Sequence, residues 1–166
     1  MAKSLGPALP DTLVARFSQR DLPSRLGVAL PFITVDAEGR PHPMLLSYLE
    51  VKAYDARTMG LVVLARSRSA RNLVERATGT LIAVEPDTTV YVKLRTVDGP
   101  LPVAGGSELG LGYFLMEVDD VLEDATAEWE AGMKITSPTR YAPTPTLDEP
   151  WAQATLAALA APRARA

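Results

Sequence analysis

Apolar and polar residues alternate with a period of two along much of this chain, which is the signature of half-buried strands. Val28 to Val35 and Thr80 to Glu85 read as strands, although Pro31 inside the first demotes it to an edge or marks a bulge. Arg40 to Tyr54 is the longest alternating run. In it His42, Met44, Leu46, Tyr48, Glu50, Lys52 and Tyr54 oppose Pro43, Leu45, Ser47, Leu49, Val51 and Ala53. A single strand of that length serves two sheets if it bends near its middle, as at a barrel corner. Asp36 to Gly39 and Asp55 to Thr58 are the turns before and after it. Thr89 to Val97 alternates again, and Tyr113 to Val121 supplies a sixth strand.

The period changes most sharply between Gly60 and Thr78. Val62, Val63 and Leu64 are continuous and β-prone, whereas Ala70, Leu73, Val74 and Ala77 recur at helical spacing, so a strand turns directly into a helix over residues 69–78. Asp11 caps a second helix, over about residues 11–20, whose Leu13, Val14 and Phe17 share a face. The leading MAKSLGPALP reads as loose, and GPLPVAGGSELG as a flexible connection. Asp119 to Glu130, around Trp129, suggests a short acidic helix. The last part, about residues 134–162, is an extended tail from Ser137 to Thr146, then a helix with Trp151, Thr155 and Leu159 on one side, stopped by Pro162. Six strands with small flanking helices predict a mainly β protein, an antiparallel barrel in one domain spanning residues 1–166.

A chain of 166 residues buries a proper core without staples or metals. Seventeen basic against twenty acidic side chains leave a net charge of -3, which argues against general nucleic-acid binding. Between Arg95 and Lys134 no basic residue occurs, so that stretch repels polyanions. Cysteine is absent, removing disulfides and thiolate chemistry. No apolar run reaches the roughly 20 residues of a membrane span. These features predict a soluble, cytoplasmic protein with no membrane partner.

Candidate chemistry gathers at the strand-to-helix junction. Ser67 and Ser69 can each cap the first turn, where free N–H groups and the positive end of the helix dipole face outward. Arg66, Arg68 and Arg71 bring cationic forks to the same place. Such a junction suits a phosphate monoester, or else is an ordinary capped helix with solvated arginines. His42, the sole histidine, is an ordinary strand residue or a proton donor to a substrate. Asp119, Asp120, Glu123 and Asp124 lack calcium-loop spacing and read as a solvated face, so no metal is expected. Trp129 and Trp151 read as packing residues or as covers over a pocket or interface.

From about Val28 to Val121 the chain resembles the FMN-binding split barrel of pyridoxamine 5'-phosphate oxidase and its relatives. The resemblance is carried by FITVDAEGRPHPMLLSYL in the first hairpin and LVVLARSRSARNL at the junction, in that order and spacing. It implies a six-stranded antiparallel split β-barrel, a homodimer, and FMN held between subunits. It further implies that Ser67 and Arg68 contact the FMN phosphate. Ser69 stands where many members carry lysine, and Arg71 compensates one turn later, before the common Asn72-Leu73 ending. Met44, Leu45, Leu46 and Ser47 would border the flavin ring through backbone groups. Leu64 and Ala65 would line it from the next strand, Ala65 replacing a frequent threonine, and Thr89 would reach it from the partner subunit. The C-terminal arginine and histidine set of the true oxidase is missing, so pyridoxamine phosphate is not the expected substrate.

A flavin enzyme asks little of protein side chains, because the ring carries the electron chemistry. The expectation is therefore an FMN-dependent oxidoreductase acting on a small organic molecule, with no catalytic residue assigned. The alternative is a non-catalytic split barrel that has lost FMN or binds another anionic ligand. Apolar side chains on both faces of the Arg40 to Tyr54 and Val90-Tyr91 strands predict the homodimer independently, since a small barrel has one interior to fill.

Overall fold

Strand β8, Leu111–Asp124, is the spine of the structure, because three other strands pair with it. The structure is a computed structural model that describes residues 2–86, 88–106, 108–124, 132 and 135–164. Before β8 come β1 (Ala2–Gly6), β2 (Ala29–Val35), β3 (Pro41–Ser47), β4 (Val51–Ala53), β5 (Thr58–Leu64), β6 (Thr78–Glu85) and β7 (Thr88–Pro102). Their order is β3-β2-β6-β7-β8-β5-β4, every pairing antiparallel. β1 lies beside β8 where β5 leaves it uncovered: β5 pairs with Leu111 to Glu117, and β1 with Val121 to Asp124.

β3 and β4 stand at opposite ends of this order, yet only Tyr48 to Glu50 joins them. Three residues cannot cross an unrolled sheet whose neighbouring strands are each about 4.8 Å apart, so the sheet curls until its two ends meet at one turn. Among the described residues no ladder joins β3 to β4, and they form an open half-barrel of eight strands. The expected six-stranded barrel is corrected in both number and closure.

That same turn corrects the expected continuous strand from Arg40 to Tyr54. Glu50 N–H donates to the Ser47 carbonyl at 3.0 Å, and the Glu50 carboxylate accepts from Ser47 N–H and Oγ at 2.8 and 2.9 Å. A serine and a glutamate three residues apart thus build a reciprocal box around a tight turn, as they do at helix starts. Leu46, Ser47, Tyr48 and Leu49 are consequently buried in succession, where alternation predicted every second one.

Among the described residues four helices flank the sheet: α1 (Asp11–Phe17), α2 (Leu22–Arg25), α3 (Arg68–Arg76) and α4 (Pro150–Ala158). α1 buries Leu13 and Phe17, with Phe17 stacked 5.4 Å from the Tyr48 ring. It ends short of the predicted residue 20, where Gln19 takes a left-handed conformation at φ 64°. From there Gln19 Nε2 reaches the carbonyl oxygens of Tyr48, Leu49 and Val51 at 3.0 to 3.1 Å, bracing the turn. The inside of the curl holds the main core, including Leu30, Phe32, Leu46, Leu61, Leu81, Val92 and Phe114. A second cluster, Val62, Tyr113, Ala158 and Leu159 among others, lies under α4. β5 is therefore apolar on both faces, which is why Leu61 to Leu64 reads as a continuous run. The chain's own α4 covers this second apolar face of β5.

Further differences have local causes. The lead expected to be loose forms β1, since β8 offers it an unpaired edge. β7 continues through Pro102, so the connection begins only at Val103. Asp119 to Asp124 belong to β8 and not to a helix, while Trp129 lies outside the described residues. β2 pairs with β3 along its whole length but with β6 only over Phe32 to Thr34, so at Pro31 it is an edge toward β6. The tail runs antiparallel beside Gly27 to Ala29: Ala29 N–H donates to the Thr139 carbonyl at 2.9 Å, and Tyr141 N–H to Gly27 at 2.8 Å.

Candidate functional site

At the end of β5 the chain turns tightly, with Ser67 N–H donating to the Leu64 carbonyl at 2.9 Å. Ser67 is then the N-cap of α3, its Oγ accepting from Ala70 N–H at 3.1 Å. The first N–H groups of a helix have no intrahelical acceptor, and one cap satisfies only one of them. Arg66, Arg68 and Arg71 are exposed here, and among the described residues their side chains make no ion pair or hydrogen bond. The junction is thus a helix start with free donors and three uncompensated cations, an electrostatic fit for a phosphate.

The other predicted residues fall into three groups. Leu64 and Ala65 are exposed beside the junction, and Ser69 and Asn72 are buried behind it. Asn72 Nδ2 donates to Thr34 Oγ1 at 2.9 Å, so its amide ties α3 to β2. Met44, Leu45, Leu46 and Ser47 follow one another on β3, the strand next to β2, with Leu45 half-exposed and Leu46 and Ser47 buried. α3 packs on β2 and β3, which brings this second group to the same side of the molecule. Thr89 is elsewhere. It pairs with Val84 where β7 lies against the Glu123 end of β8, whereas Leu64 pairs with Leu111 at the other end. Within one chain, Thr89 does not approach the junction.

One cavity that the sequence did not single out lies beside β5. β4 pairs with Met59 to Leu61, and Val62 N–H still donates to the Glu50 carbonyl at 2.9 Å, so the edge of β5 opens only at Val63 and Leu64. A cavity of about 290 Å³ occupies this gap, lined by Glu50, Val62, Val63, Leu64, Leu109, Leu111, Trp151 and Thr155. Glu50 Oε2 accepts both hydrogen bonds from Ser47, and no cation is paired with it among the described residues. Burial pushes its carboxyl up to about 7, against the pull of the Ser47 bonds. Tyr141, on the tail, is raised by burial and secondarily by the nearby Glu50. The Thr155 hydroxyl is buried with no hydrogen-bond partner among the described residues. In the sequence, the only available signal was the Ser47-x-x-Glu50 spacing, which marks a turn and not a strand.

Glu85, unlike half-buried Glu50, is a buried carboxylate, and it meets the same turn through Tyr48. Glu85 is paired with Arg16 and Arg25, both at 3.0 Å, and accepts the Tyr48 hydroxyl. Arg25 also sits 5.2 Å from the centre of the Tyr48 ring. Among the described residues no group of three or more histidine, cysteine or acidic side chains is placed to hold a metal. No helix among them is long and apolar enough to cross a membrane.

No family model matches the chain, and no curated protein matches it in sequence. Solved structures do match. An FMN-binding protein from Syntrophomonas wolfei subsp. wolfei shares 10% identity at a TM-score of 0.54, over 71% of this chain and 90% of that one. A Lactobacillus delbrueckii protein assigned as a pyridoxamine 5'-phosphate oxidase shares 16% identity at a TM-score of 0.55, over 72% of this chain and 98% of that one. At such identities the likeness concerns the path of the backbone. With the sheet order and the β5–α3 junction described above, it establishes that this chain has the split-barrel fold of the pyridoxamine 5'-phosphate oxidase-like FMN-binding proteins.

Proposed function

We propose that the chain binds FMN as a homodimer, one domain per subunit, and serves as an oxidoreductase for a small organic molecule. The observation that carries this reading is the Ser67-capped start of α3 with Arg66, Arg68 and Arg71 unpaired around it, on a fold whose solved relatives include an FMN-binding protein. Ser67, Arg68 and Arg71 would hold the phosphate. Met44 to Ser47 on β3, with Leu64 at the end of β5 and Ala65 after it, would flank the ring. Ser69 and Asn72 support the helix from behind, and Thr89 would come from the second subunit. FMN, when bound, supplies the electron transfer; the chain's own part is to orient it and exclude water. Half-exposed Leu45 and Leu64 suit an interface that the partner completes.

The burial of Ser69 favours a second reading. With no side chain of residue 69 facing an anion, the junction holds phosphate less tightly, and a non-catalytic split barrel with a different anionic ligand becomes the competitor. Absorption of the freshly purified protein near the two flavin bands separates the two. Arg68→Ala should weaken FMN by about 1.5–3 kcal/mol, the range of a charge-assisted hydrogen bond, and barely affect riboflavin, which lacks the phosphate. Titration calorimetry of the four combinations measures this, and equal penalties with both ligands would place Arg68 away from the phosphate. Sedimentation should give about twice the 17.8 kDa chain mass.

A further inference from the structure

The cavity beside Glu50 has a composition that selects a class of ligand. Its walls are aliphatic residues of β5, Leu109 of the connection before β8 and Leu111 at the start of β8, with Trp151 and Thr155 of α4 on the remaining side. Into this apolar space the protein places one carboxyl group. Glu50 Oε2 is committed to Ser47, while Oε1 accepts no hydrogen bond from the described residues. A carboxylate in apolar surroundings without a cation is costly, and none is paired with Glu50 among the described residues. Glu85 shows that the same fold provides guanidinium partners where a buried carboxylate is structural.

We propose that this cavity binds a small apolar amine, whose ammonium group pairs with Glu50 Oε1 while its hydrocarbon body lies against Val62, Leu111 and Trp151. The entering charge completes the ion pair that the chain leaves open, and the apolar walls strengthen that pair by excluding water. Phosphates and carboxylates are repelled by the same group. The volume, about 290 Å³, is near the lower end of ligand pockets and takes roughly ten water-sized units at about 30 Å³ each. A single substituted ring or a short aliphatic chain fits that space. This inference needs no flavin and stands or falls apart from the phosphate site at α3.

The test compares benzylamine with benzyl alcohol, which has nearly the same shape and no charge. Titration into the intact 166-residue chain, followed by the Trp151 indole resonance in nuclear magnetic resonance spectra, should show benzylamine binding at least tenfold more tightly. Glu50→Gln should erase that preference and leave benzyl alcohol unchanged. Leu109→Trp, at a partly exposed lining position, should block both ligands while the melting temperature stays that of the parent. Equal affinity for the two ligands in the parent protein overturns the proposal. So does benzylamine binding that is indifferent to Glu50→Gln, or the absence of any benzylamine binding to the folded parent protein, an outcome that needs no variant to interpret.

Discussion

Glu50, the last residue of the three-residue turn, and Glu85, which meets that turn through Tyr48, are carboxylates that the fold treats in opposite ways. Glu85 meets two arginines and a tyrosine hydroxyl, so its charge is balanced within the protein. Its partners come from α1, from α2 and from the turn, and the network fastens the N-terminal segment onto the sheet. Glu50 meets a backbone N–H and a hydroxyl and then a cavity. A fully compensated buried charge holds structure together. An incompletely compensated one retains an affinity for a proton or a cation from outside.

The largest effect should follow from breaking the compensated member. Glu85→Gln leaves the Arg16 and Arg25 guanidinium groups without their shared counter-charge, and a buried pair broken on one side costs about 3–5 kcal/mol. Chemical denaturation should show that loss with an unchanged slope. A cost below about 1 kcal/mol would mean the two arginines reach water, and the contrast between the two carboxylates would collapse.

Next in size is the pH dependence of the uncompensated member. Because the Glu50 carboxyl is raised from an ordinary 4.5 to about 7, the folded state holds a proton that the unfolded state releases across that window. Stability contributed by the protonated form is complete below pH 4.5 and is lost as pH rises through 7, by up to about 3 kcal/mol. Glu50→Gln should remove this slope, matching the parent at pH 4 and exceeding it at pH 8. Identical pH profiles from denaturant titration would show that the carboxyl is not held in its neutral form.

The smallest change sharpens the comparison. Ser47→Ala deletes the hydroxyl that donates to Glu50 at 2.9 Å but keeps the backbone donor. It should cost about 1 kcal/mol at pH 8 and push the Glu50 titration still higher, since a bond favouring the ionised form is gone. Carbon-detected magnetic resonance of the Glu50 carboxyl reads that shift directly, and a downward movement would contradict the assigned role of Ser47.

How much of this was legible in the sequence depended on the range of the interactions. The β5–α3 junction was readable because its signals are adjacent: a run of Val62 to Leu64, a capping serine, and helical spacing after it. Ser67 rather than Ser69 proved to be the cap, a choice made by the packing of Ser69 against the core. The break at Tyr48 to Glu50 was hidden because no glycine or proline marks it and the alternation runs straight through. β1 was missed because Ala2 to Gly6 carries a single large apolar residue, Leu5, and only the unpaired end of β8 gives the segment a partner. The cavity was beyond reach for the same reason: Glu50, Leu109 and Thr155 come from three distant parts of the chain. The change of period marked a helix start near Ser67 and Arg68, where α3 begins, but the sequence could not show that Asn72 is bound to Thr34.

The position of β8 in the chain sets a schedule for synthesis. β5 is complete at Leu64, but the strand that covers its edge begins only at Leu111. At about 5–20 residues per second, several seconds pass on the ribosome before that partner emerges. Until then Leu61 to Leu64 is an uncovered apolar strand, the kind of edge that recruits a neighbouring chain. β2, β3 and β6 can pair earlier, so the nascent protein passes through a stage with one half of its sheet assembled and β5 waiting. Yield in the cell should therefore respond to translation speed between these two strands as well as to the stability of the finished fold.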